Sequence, residues 1–74
     1  MISIEILTKQ VKIITALFET LRLNEKQELT LYLQMKLILE HLEKISDDKI
    51  EIKILKKKVG EFLDKHLTLD YIMI

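Results

Sequence analysis

Residues 21–45 read LRLNEKQELTLYLQMKLILEHLEKI, and this stretch decides the fold. Asn24 followed three positions later by Gln27 is the pattern of a capping box, in which each side chain accepts a hydrogen bond from the other residue's backbone N–H. It ends one helix and opens the next with almost no loop, so the first two helices are expected to form an antiparallel hairpin. Beyond it, Leu31, Tyr32, Met35, Ile38, Leu39, Leu42 and Ile45 recur at helical spacing along one arc. Leu29, Leu33 and Leu37 form a second stripe nearly opposite. Lys36, Glu40 and Glu43 separate the two on one edge, and Thr30, Gln34 and His41 on the other. A helix apolar on two sides is usually sandwiched. The second stripe is therefore expected to contact a symmetry mate or partner.

Upstream, Ile4, Leu7, Val11, Ile14, Phe18 and Leu21 repeat at 3,4 spacing, and Ile6, Ile13 and Leu17 widen the stripe to about half the helix circumference. Such a face touches more than one neighbour. The first helix is expected over about 3–23, with Ser3 as its N-cap, and the second over about 25–45. Ser46, Asp47 and Asp48 make the second break, Asp48 and Glu51 repeating the capping-box spacing and placing negative charge at a helix N-terminus. The third helix, about 49–67, carries the seam Ile52, Leu55, Val59, Phe62, Leu63 and His66. The apolar phase runs unbroken across Gly60, which predicts a continuous helix with a bend or close contact at the glycine. The alternation at Ile2, Ile4 and Ile6, at Leu29, Leu31 and Leu33, and at Ile50, Ile52 and Ile54 is too short to displace the longer helical period. The tail from Leu67 ends in Tyr71, Ile72, Met73 and Ile74, and is expected to fold back or enter a neighbour.

The composition fits this all-α reading, with 49% apolar residues, one glycine, no proline and no cysteine in 74 residues. So short a chain holds one domain, 1–74, and a domain of this size usually needs a staple. Disulfides and thiolate metal sites are excluded, leaving packing and association. The expected architecture is a bundle of three amphipathic helices completed as a homodimer. The start, Met1 to Leu7, carries Glu5 and lacks a basic segment leading into a long apolar run. No secretory signal and a cytoplasmic location are therefore expected. No apolar run approaches the roughly 20 residues of a membrane span.

Basic and acidic residues number 12 each, so no global basic field exists to attract nucleic acid. Residues 1–24, 25–48 and 49–74 carry +1, −3 and +2, a pattern that favours helix-on-helix packing. Lys49, Lys53, Lys56 and Lys57 share a face of the third helix and could follow a phosphate backbone, but the patch lacks arginine and aromatic side chains. A helix-turn-helix is disfavoured because the second break has no glycine-bearing turn. His41 and His66 are isolated and lack an i, i+4 ligand partner, so no metal is expected. No phosphate loop or cysteine nucleophile is present, and the acidic pair Asp47 and Asp48 serves capping, so neither catalysis nor a cofactor is expected.

The expectation is a non-enzymatic protein-interaction module, a small regulator, inhibitor or adaptor. Its contacts with itself or with an unidentified protein are expected at Leu29, Leu33, Leu37, Ile50 and Ile54. The alternative is a dimeric nucleic-acid-binding regulator using Lys49, Lys53, Lys56 and Lys57; a purely structural assembly subunit comes third. A membrane partner is not expected, because the polar faces mix Lys with Glu.

Overall fold

The computed structural model describes residues 3–45 and 49–72, without the side chains of Tyr71 and Ile72. Four helices follow one another: α1 (Ile4–Thr20), α2 (Glu25–Lys44), α3 (Ile50–Lys65) and α4 (Thr68–Ile72). Among the described residues there is no strand: the alternating runs at Leu29, Leu31 and Leu33 and at Ile50, Ile52 and Ile54 resolve as helix, as do Ile4 and Ile6, while Ile2 lies outside the described residues.

The helix starts follow from local chemistry. The Ile6 N–H donates to Ser3 Oγ at 3.2 Å, satisfying an N–H of the first turn that has no partner within the helix. At α2 the capping box is complete: the Gln27 N–H donates to Asn24 Oδ1 at 2.8 Å and the Asn24 N–H to Gln27 Oε1 at 3.0 Å. Asn24 takes an extended conformation to do this, and α1 accordingly ends at Thr20, not at Leu23 as its pattern suggested. Thr8, Thr15, Thr20 and Thr30 each return their hydroxyl to the carbonyl four residues back, which lets β-branched polar residues sit inside helices.

The capping role expected of Asp48, with Ser46 and Asp47 beside it, lies outside the described residues; α3 opens at Ile50 after Lys49. It passes through Gly60 without interruption. No close packing explains that glycine, since a Cβ there would meet nothing within 4 Å. The expected end at Leu67 is corrected to Lys65. His66 leaves helical geometry at φ −111° and ψ 26°, a turn covers His66 and Leu67, and the chain re-enters a helix at Thr68. The tail thus folds back as α4 through Leu69 and Asp70, while Met73 and Ile74 fall outside the described residues.

One core joins all four helices. Leu7, Val11 and Ile14 of α1, Tyr32, Met35, Ile38 and Leu42 of α2, Ile52, Leu55, Val59 and Phe62 of α3, and Leu69 of α4 are buried. Each fully buried Leu, Ile, Val, Phe or Met contributes about 1.5–3 kcal/mol by leaving water. α2 is central, contacting each of the other three helices. Phe18 near the end of α1 meets Phe62 and His66 near the end of α3, with ring centroids 4.9 and 4.5 Å apart, so these two helices run in the same sense. Only residues 21–24 connect α1 to α2, and the two helices share a groove lined by Leu7 to Leu17 on one side and Leu31 to His41 on the other, so α2 folds back and runs the other way.

α1 is the exception in the packing. Nine of its 17 residues are apolar, the densest apolar content of the three long helices, yet only Leu7, Val11 and Ile14 are buried. α3, with fewer apolar residues, buries four.

Candidate protein-contact surface

The unburied part of α1 lies along its groove with α2. Ile6, Gln10, Ile13 and Leu17 recur at intervals of four, three and four residues, which places them on one face of α1. Ile13 stands 59% exposed on that side of the groove and Leu37 of α2 57% exposed on the other. Gln10, Gln34 and His41 complete the outer lining above Leu7, Ile14, Leu31 and Ile38. Charged side chains make up 32% of the chain, but none lines this groove.

The opposite side of α1 differs. Its groove with α3 gathers Lys9, Lys12 and Lys58 with Glu5 and Glu51 around Ile4, Ile54 and Leu55. Further along the same helix pair, Lys12, Lys58, Lys65, Glu19 and Glu61 surround Phe18, Phe62 and His66. Opposite charges interleave there, so the apolar floor is rimmed by charged groups of both signs. The two grooves share a helix but offer different chemistry.

The expected contact residues are divided by the fold. Leu33 and Leu37 remain exposed on α2, whereas Leu29 is half-buried against the core. Ile50 and Ile54 are exposed at 72% and 50%, but Ile54 lines the charged α1/α3 groove, so it does not share a groove with Leu37. The pattern alone did not single out Ile6 and Ile13 as exposed. The signal was the width of the α1 stripe, which exceeds what two neighbouring helices cover. Of the lysine face, Lys49, Lys53 and Lys57 are exposed and Lys56 is half-buried.

Three groups have shifted protonation equilibria. Burial pushes the Tyr32 hydroxyl up to about 12, aided by its hydrogen bond to Asp70 and by the charges of Asp70 and Asp64. The Asp70 carboxyl is held below its usual range, first by the hydrogen bond from Lys36 Nζ at 2.9 Å and also by that from Tyr32. The Lys36 ammonium also lies 5.8 Å from the Tyr32 ring centre. His66 is half-buried against Phe18 and Phe62, and its imidazole is lowered by burial and then by Lys65, with Glu28 opposing. These groups fasten α4 to α2 and the end of α3 to α1. Among the described residues no three histidine or acidic side chains gather as a metal-binding group. No helix among them is long and apolar enough to cross a membrane.

No family model, curated protein or solved structure matches this chain. Function is therefore read from the surface alone.

Proposed function

We propose that this chain is a small non-enzymatic protein-interaction module, a regulator, inhibitor or adaptor that acts by applying an apolar helix face to another protein surface. The observation that carries the reading is the uncharged α1/α2 groove with Ile13 and Leu37 open to solvent on its two sides. Paired apolar anchors beside neutral hydrogen-bonding side chains are what the dry centre of a protein interface is made from, and charge is depleted there. Gln10 and Gln34 each bring donors and an acceptor, enough to fix orientation.

A photo-crosslinking amino acid placed at Leu37, with a second copy of the experiment at Lys57, tests this in extracts of the native host. Capture at position 37 that is competed by unlabelled wild-type protein, but not by Leu37→Glu, is expected. Capture at 57 alone, or capture at 37 that ignores both competitors, would contradict it.

The lysines of α3 support a second reading as a nucleic-acid-binding regulator, since Lys49, Lys53 and Lys57 are exposed one turn apart. Asp64 follows Lys57 at helical spacing on that face and Glu61 lies beside it, so the basic stripe ends in negative charge. Weak binding erased by physiological salt is the expected gel-shift result. A discrete complex that survives such salt and vanishes in a Lys53→Glu, Lys57→Glu double variant would favour nucleic acid.

A further inference from the structure

We propose that the turn at His66 and Leu67 is an acid-operated hinge: proton uptake by the His66 imidazole draws that ring out of its seat between α1 and α3 and releases α4 from α2. The first support is position. The ring lies against Phe18 of α1 and Phe62 of α3, with centroids 4.5 and 4.6 Å away. The backbone of the same residue joins the two helices of the hinge, its N–H donating to the Phe62 carbonyl at 3.1 Å and its carbonyl accepting from the Leu69 N–H at 3.0 Å. Leu69 is itself buried in the core, and Asp70 beside it pairs with Lys36. A ring that leaves its seat therefore moves the carbonyl on which the first turn of α4 is built.

The second support is what surrounds the ring. The groove that His66 lines also holds Lys12 and Glu19 of α1 and Lys58, Glu61 and Lys65 of α3, and Glu28 faces it from α2. These charges balance in sign, so the half-buried seat against two phenyl rings decides, and a proton taken up there loses water. Burial accordingly lowers the imidazole, Lys65 adds to the effect and Glu28 opposes it. Leu67 and Thr68 are exposed, so the turn can swing into water without unpacking them. A helix of five residues does not hold itself in water, and α4 persists only while docked. Its release takes Asp70 away from Tyr32 and wets that side of α2.

NMR of the intact chain between neutral and mildly acidic pH tests the hinge, read from the His66 ring protons and from the Cα shifts of residues 68–70, which report how much of α4 is helical. Asp70, held below the usual carboxylate range, stays ionised over this interval, so its bond to Lys36 does not confound the readout. On acidification the wild type should lose the helical shifts of 68–70 with the same midpoint as the His66 ring, below the usual 6.5, while residues 4–20 of α1 keep theirs. His41→Gln, which removes the other histidine, should behave like the wild type, and His66→Phe should keep α4 helical throughout. Shifts at 68–70 that stay helical while the ring titrates, or that still fall in His66→Phe, overturn the hinge. So does a ring midpoint above 6.5, the mark of phenyl faces holding the cation, and so does an equal loss of helix in α1, the mark of the whole fold opening.

Discussion

At the scale of single residues, Asn24 shows how directly sequence became geometry. Its side chain accepts from Gln27 and its backbone donates back, as the spacing of the pair suggests. Asn24→Ala should cost about 1 kcal/mol in a urea titration, the usual worth of such a cap. Gly60 teaches the reverse. It lies inside α3 with a helical φ and open space where a Cβ would stand, so it costs backbone entropy without any packing return. Gly60→Ala should raise stability by about 0.5–1 kcal/mol in the same titration. His66 was legible as part of the apolar seam; its contact with Phe18 was not, because periodicity orders residues along one helix and says nothing of which ring waits on the next. Its lowered imidazole means that the unfolded chain binds the proton more readily than the folded one. Stability from this group is therefore present above its ordinary value and declines as pH falls through the range near 6.5. Thermal melts should show this fall between neutral and mildly acidic pH, and His66→Phe should flatten it while preserving the ring contacts.

Among the helices, α4 is the element that pattern reading did not resolve. No glycine or proline marks the break at His66 and Leu67, and the apolar phase of α3 carries straight through it. The break arises in tertiary structure: the turn lets Leu69 reach the core and Asp70 reach Lys36 and Tyr32 on α2. Protonating Asp70, or ionising Tyr32, undoes that fastening. Because the Asp70 carboxyl is held low, its contribution is present above the usual carboxylate value and lost as pH falls through that range. Tyr32 acts oppositely: raised to about 12, it favours the folded state until pH rises past its ordinary value near 10, then withdraws support up to about 12. Asp70→Asn should speed amide hydrogen exchange across residues 68–72 while leaving α1 little affected. Equal acceleration in both helices would show that α4 opens only with the whole molecule.

For the whole molecule, the seams of α2 and α3 were largely legible, since each central arc became core. The two faces of α1 were not separable from sequence. Ile6 and Ile13 continue the same wide stripe as Leu7 and Ile14, and only the count and placement of neighbouring helices leaves one pair wet and buries the other. Leu33 and Leu37, expected as contact residues, stand exposed on α2, while the exposure of Ile6 and Ile13 on α1 emerged only from the fold. The division between an uncharged groove on one side of α1 and a charged groove on the other is the molecule's central property. Amide chemical shifts recorded by NMR through a dilution series of the wild-type chain test it most directly. Concentration-dependent shifts are expected along residues 6–17 of α1 and 30–41 of α2, and absent from the Leu37→Glu variant. Shifts concentrated in α3 would contradict the assignment of that groove as the contact surface, and none over the whole series would contradict the expected homodimer.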